Sequence, residues 1–297
     1  MTVPRNILCG GVAWLTLALA VHAQGPPALF GDWRPRVGYL WDARSGTDGT
    51  GSPTFEHAEF RVRAAAPLYM SSELRLFGGL RLSRHALCFE DTTLKDQTVY
   101  VIAAPLIASV PLSRGWSFFG MLAPSLATDF EGVSVEAFRA SAFGFVRGRL
   151  SRAWAVSVGG VYLQTLGRSR VFPGIGFDWR PSDAWSAHLA FPRSMLSYCP
   201  SKRWCVFGEL SPAGGQWHVA EAPGPDAGDA DISLRGFRSG LGAEYAPVPR
   251  VRLRVRAGAV WGREYTVERS GMPTEETGID DSWYVGVSLA WRPRPRR

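Results

Sequence analysis

The stretch Arg250-Val-Arg-Leu-Arg-Val-Arg-Ala-Gly-Ala-Val-Trp261 decides how the chain is read. Val251, Leu253, Val255, Ala257, Ala259 and Trp261 fall on one parity and Arg250, Arg252, Arg254 and Arg256 on the other, a period of two that belongs to a strand. One face is apolar and the other cationic. In a soluble sandwich the apolar face would be buried and the arginines would meet bulk water. In a transmembrane barrel the same alternation turns the apolar face to lipid and the arginines to an aqueous lumen. The register is then stiff, because each Arg slipped to the lipid midplane costs about 2–4 kcal/mol. This strand fits both folds, and the rest of the chain separates them.

Working outward, thirteen segments of alternating or near-alternating character follow one another, bounded by turn residues: 34–43, 55–66, 73–84, 97–110, 116–128, 136–149, 154–166, 171–179, 184–199, 203–220, 233–246, 250–265 and 282–292. No helical periodicity interrupts them, so the chain is all-β. Leu112-Ser-Arg-Gly-Trp116, Leu150-Ser-Arg-Ala-Trp154, Pro181-Ser-Asp-Ala-Trp185 and Pro200-Ser-Lys-Arg-Trp204 share one template, in which a short Ser turn is followed at once by Trp. Four amphipathic rings at the start of four returning strands predict an aromatic girdle of Trp116, Trp154, Trp185 and Trp204 at one membrane face. The core of a sandwich gives no reason for that fixed offset. The opposite loops, 44–54, 85–96, 129–135, 221–231 and 266–281, are longer and polar. Short turns alternating with long loops are what outer-membrane barrels show, with the short turns periplasmic.

Bacterial barrels have even strand numbers, and thirteen is odd. Phe191-Pro192-Arg193 interrupts 184–199, and a proline cannot donate to a ladder, so this run is expected to break. The expectation is a single antiparallel up-and-down transmembrane β-barrel of 12 to 14 strands.

Composition bounds the rest. Hydrophobic residues make up 46% of the 297, yet no run after the N-terminus approaches the about 20 residues of a spanning helix. Residues 1–23 read as a cleaved secretory signal peptide, with Arg5 ahead of an apolar stretch and Val21-His22-Ala23 at the cleavage site. The barrel then occupies 24–297, its strands about 34–292, with a short basic tail at 292–297. The net charge of +7 falls by one with Arg5. A cationic exported chain points to anionic partners: lipopolysaccharide phosphates in the outer membrane of a Gram-negative cell, or small anionic solutes in a lumen. Nucleic acid fits poorly, since the arginines are spread over strands. Cys199 and Cys205 flank a short turn where a disulfide is one of two open alternatives, and no Cys/His spacing suggests a metal. No cofactor is expected.

By parity, the inner face collects His57, Glu59, Arg61 and Arg63; Glu73, Arg75 and Arg81; Arg238 and Glu244; and Arg252, Arg254 and Arg256. The lumen-lining set is therefore Glu59, Arg61, Arg63, Arg75, Arg81, Arg238, Glu244, Arg252, Arg254 and Arg256. Phe60, Leu80, Leu82, Leu241, Val285 and Val287 take the outer face. The strand 136–149 resists assignment, because Phe143 and Phe145 share parity with Arg139, Arg147 and Arg149.

Pro173-Gly-Ile-Gly-Phe-Asp-Trp-Arg-Pro-Ser-Asp-Ala-Trp185 and the run on to Tyr198, with Gly240-Leu-Gly-Ala-Glu-Tyr245 and Gly262-Arg-Glu-Tyr265, resemble a family of Gram-negative outer-membrane β-barrel proteins known only as a domain of unknown function. The resemblance implies a barrel in the outer membrane and brings no activity or site residues.

Three functions follow as alternatives. The first is a monomeric outer-membrane barrel, structural or a narrow passive porin-like pore with an arginine-rich, weakly anion-selective lumen, delivered by the barrel-assembly machinery. Its arginines either stay open to solutes or pair with Glu59, Glu73 and Glu244 and seal the interior. The second is an outer-membrane hydrolase or acyltransferase, for which His57, His85, His188, His218 and Ser83 are thin candidates with no recognisable spacing. Solvated charge is the simpler reading of Asp226, Asp229, Asp231, Glu275, Glu276, Asp280 and Asp281 than a calcium site. The third is a secreted soluble β-sandwich that binds a partner.

Overall fold

The computed structural model describes residues 35–47, 54–90, 96–113, 115–163, 170–220 and 228–291. The signal peptide, the tail at 292–297 and Asp226 lie outside the described residues. The strands are β1 (Arg36–Gly46), β2 (Thr54–Met70), β3 (Arg75–Glu90), β4 (Gln97–Ala103), β5 (Leu106–Ser113), β6 (Trp116–Thr128), β7 (Phe138–Arg149), β8 (Trp154–Leu163) and β9 (Arg170–Trp179). They continue as β10 (Trp185–Ala190), β11 (Ser194–Tyr198), β12 (Trp204–Val219), β13 (Ala230–Val248), β14 (Val251–Glu268), β15 (Glu275–Ile279) and β16 (Ser282–Trp291). A 3-10 turn, Val135–Ala137, precedes β7.

Adjacent strands pair antiparallel around a ring. β4 and β5 lie end to end between β3 and β6, parted at Ala104-Pro105. There the Pro105 carbonyl accepts from the Gly79 amide at 2.8 Å and the Ala104 amide donates to the Pro124 carbonyl at 3.0 Å, so the proline interrupts the strand without orphaning its neighbours. β15 and β16 share β14 in the same way. The ring has 14 staves and closes where β1 pairs β16 from Arg36↔Ala290 to Asp42↔Tyr284. The run 184–199 breaks at Phe191-Pro192-Arg193 into β10 and β11, which makes the stave number even.

Several strands run further toward the long loops than turn composition suggested. Residues 85–90 and 266–268, expected in loops, are strand, and 275–279 form β15. The reason is internal, since Leu87, Phe89, Val267 and Ile279 on these extensions pack into a shared apolar core. Glu73 corrects the inner-face assignment: it lies exposed in the turn before β3, where the Ser71 hydroxyl accepts from the Glu73 and Leu74 amides at 3.2 and 2.9 Å.

β14 carries a change that its alternation did not announce. Gly262 takes φ +60° and the pairing with β13 skips between Arg235 and Phe237. The bulge inverts parity. Below it Arg252, Arg254 and Arg256 alternate with exposed Leu253 and Val255; above it Arg263, Tyr265 and Val267 are buried.

The outer face carries exposed Phe60, Leu82, Leu122, Val158, Leu241 and Val287 around the ring, the continuous apolar belt of a transmembrane barrel. Trp116, Trp154, Trp185 and Trp204 each open a strand after a short turn, and all are 41–51% exposed. Three of them pack at a tilt against an aromatic of the neighbouring strand: Trp154 on Trp179, Trp185 on Tyr198 and Trp204 on Tyr245, with centroids 6.1, 4.6 and 4.5 Å apart. Trp116 instead lies over Gly148, where a Cβ would sit 2.7 Å from its ring. Cys199 and Cys205 are bridged beneath this rim, with Cα atoms 4.0 Å apart.

Candidate functional site

Strand register arranges the inner face in rows. Nearest the short turns, Arg252, Ala290, Arg36, Arg63 and Arg81 are consecutive partners across β14, β16, β1, β2 and β3, so four arginines stand abreast. The next row carries Glu244, Arg254 and Arg61, and the one above it Arg256, Glu59 and His85. Arg75 begins β3 exposed at the rim, below these rows.

Each interior carboxylate serves two cationic or imidazole partners. Glu244 takes Arg252 and, at 2.8 Å, Arg254; Glu209 takes Arg193 and Arg256, both at 2.7 Å. Asp178 takes Arg147 at 2.9 Å and His188 at 2.8 Å. Glu59 pairs with Arg61 and faces His85 Nε2 at 3.8 Å. Sharing of this kind leaves the guanidinium groups in excess, so the lower interior is positive although its acids are satisfied. A cavity of about 80 Å³ remains among Arg36, Arg61, Arg63, Arg193, Arg254 and Arg256, room for a few waters.

Above the rows lies a buried chain that parity alone did not join. Arg238 makes two bonds to Asp42, Nη2 to Oδ2 at 2.6 Å and Nε to Oδ1 at 3.1 Å. Asp42 Oδ2 meets His57 Nδ1 at 2.8 Å, and His57 Nε2 meets His85 Nδ1 at 3.1 Å, the two imidazoles nearly parallel. The histidines are thus links between two carboxylates. Asp42 and Glu209 went unnoticed in the sequence, although Asp42 shares parity with Arg36 and Glu209 alternates with Val206 and Leu210.

Past this chain the interior turns apolar. Phe55, Leu87, Trp217, Ile232 and Tyr265 are no more than 1% exposed, and with Phe89, Val219, Val267 and Ile279 they fill the ring toward the long loops. His85 abuts Trp217 with centroids 4.9 Å apart, joining the polar chain to the apolar layer. Small barrels are filled by side chains in this way. The ring is narrow here because β6 and β12, with five strands between them, meet at Thr128↔His218. The Ala220 amide donates to Asp129 at 2.8 Å and Arg139 bonds Asp231 at 2.7 Å across the same closure.

The catalytic candidates resolve into structure. Ser83 and His85 are both buried inside the ring, and the His85 nitrogens face His57 and Glu59. His218 bonds Asp231 at 2.9 Å, Glu275 pairs with Arg269 at 2.6 Å, and Asp281 accepts from the Gly262 amide at 3.1 Å. These acidic residues tie strand ends together.

The unassigned strand 136–149, here β7, turns Phe143, Phe145 and Arg147 inward against exposed Val146. With Phe119 and Met121 of β6, Val161 of β8 and Phe191 of the β10–β11 turn they enclose about 250 Å³ of mainly apolar space.

Comparison with known proteins places the chain. No curated protein matches it. Among solved structures it is similar to the COG4313 outer membrane channel from Pseudomonas putida F1, at 12% identity and TM-score 0.45, over 90% of this chain and 98% of that one. A KdgM porin in complex with disordered oligogalacturonate aligns at 7% identity and TM-score 0.37, over 86% and 99% of the chains. The outer membrane phospholipase A from Escherichia coli aligns at 11% and 0.37, over 91% and 94%. These likenesses are distant, and the fold stands on this chain's own strand pairing. The family model described as "Domain of unknown function (DUF6268)" matches residues 90–292, and the chain belongs to that family.

Proposed function

We propose that the chain spans the outer membrane of a Gram-negative cell as a monomer, its belt in contact with lipid and lipopolysaccharide. In this reading residues 1–23 direct export, the barrel-assembly machinery inserts the ring, and the tryptophan rim sits at the periplasmic interface as a girdle. The lower interior is a passive, weakly anion-preferring vestibule open toward the short turns. One observation carries this: the row Arg252, Arg36, Arg63 and Arg81, with Arg254 and Arg61 above it, faces inward beneath an apolar seal. Cationic rings lower the barrier for anions.

The test uses a barrel whose seal has been opened by Trp217→Ala with Phe55→Ala, inserted in a planar bilayer across a salt gradient. The reversal potential is expected to show anion preference, and Arg63→Glu with Arg254→Glu in that background should lower the anion-to-cation ratio several-fold. A cation-selective parent, or one indifferent to those reversals, would overturn the vestibule.

A further inference from the structure

The strand ladder has a gap in the wall beside the phenylalanine chamber. β10 pairs β9 only over 176–179, and β11 pairs β12 only over 206–210. On the side facing the gap, residues 170–175 of β9 and 211–217 of β12 have no strand partner among the described residues, and the short β10–β11 hairpin closes only the bottom. The Thr128↔His218 and Arg139–Asp231 contacts crown it. Six residues of β9 make the opening about 20 Å along the strand.

The opening lies at the height of the apolar belt. Val171 and Ile175 on its β9 bank are 74% and 62% exposed on the outer face. Unpaired strand edges at membrane depth are tolerated where they are buried in protein or line a water-filled cavity, and the space behind this one runs on to the polar mouth at the short turns. The Phe191 ring at the hairpin tip leans on Phe172 of β9, centroids 5.3 Å apart, so the two rings stand at the sill.

Behind the sill the chamber continues downward. Arg147, His188 and Met195 line both it and a second space of about 350 Å³ that opens among the short turns. The second space is bordered by Arg147, Arg149, Arg152 and Arg180 against the single carboxylate of Asp178. This path passes beside the arginine rows and below the apolar layer, so it avoids both obstacles on the axis.

We propose that the gap between β9 and β12 is a lateral window through which small aromatic carboxylic acids leave the lipid, lodge among Phe119, Phe143, Phe145 and Phe191, and pass to the cationic mouth. The rings accept a flat apolar body, about 250 Å³ holds one or two fused rings, and the guanidinium excess draws an acid group onward. The proposal rests on the membrane-spanning reading above.

The test removes the described cysteine that lies outside the Cys199–Cys205 bridge by Cys88→Ser and places this parent barrel in phosphatidylcholine nanodiscs with 1-naphthoate as fluorescent probe. Saturable binding is expected, weakened at least tenfold by Met121→Trp, which fills the chamber, or by Ala190→Trp should the first variant fail to fold. For the window, Phe172→Cys with Phe191→Cys is compared before and after bridging by a bismaleimide with a disulfide in its spacer, long enough to span the two positions. Bridging should slow association of naphthoate preloaded in the lipid at least tenfold, and dithiothreitol, which cleaves the spacer, should restore it without altering the parent. Absence of saturable binding in a barrel with heat-modifiable migration, or equal rates for the bridged and cleaved pair, would overturn the window. Naphthalene binding as tightly as naphthoate would overturn the choice of an acid. A chain that never inserts or shifts on heating would instead sink the membrane reading, and the window with it.

Discussion

Trp217→Ala combined with Phe55→Ala is expected to turn a barrel that holds the bilayer at baseline into one that conducts in discrete steps. Both side chains are fully buried in the apolar layer toward the long loops. Phe55 packs on Phe89 at 5.1 Å and lies under the Arg263 guanidinium at 5.7 Å; Trp217 carries the contact to His85. Truncating either would cost about 3–5 kcal/mol, because the ring of paired strands collapses only partly into the void. The removed volume lies between the solvated vestibule and the long-loop end, so water and ions follow it. Urea midpoints should fall with each single substitution, and conductance should rise most in the pair. A destabilised pair that stays silent would place the obstruction elsewhere.

Asp42→Asn is expected to lower stability by about 3–5 kcal/mol, since it leaves the buried Arg238 guanidinium without its counter-charge. The loss should be read as the urea midpoint of the band that migrates as folded barrel. Asp42→Leu with Arg238→Met removes both charges and should recover most of it, because a buried pair is often no more stabilising than apolar groups of similar size. A loss below about 1 kcal/mol in the single variant would mean that water reaches the pair and screens it.

Alternation in Arg250–Trp261 and the Ser-turn-Trp template together made the barrel legible, because lipid outside and a polar interior impose opposite demands on successive residues. Pro192 revealed the missing stave for the same local reason. What parity could not supply was height. It did not show that β6 and β12 converge, or that Phe55, Trp217 and Tyr265 make a packed core of the upper interior. The Gly262 bulge was invisible because one inserted residue exchanges the faces of everything beyond it. His57 and His85 read as isolated histidines because their partners lie on β1 and on each other. The strand 136–149 resisted assignment on account of Phe143 and Phe145, which break the polar-inside rule where the chamber needs them to. Glu73 failed for a simpler reason, since the turn before β3 ends two residues later than its alternation suggested.

A cationic vestibule closed along its axis by buried aromatic and aliphatic side chains leaves no continuous aqueous path through the barrel. Planar-bilayer conductance of the refolded wild-type protein, inserted and heat-modifiable, reads this out. The trace should stay near baseline at either polarity; steady, large open steps from the unaltered chain would mean that the apolar layer does not seal the barrel.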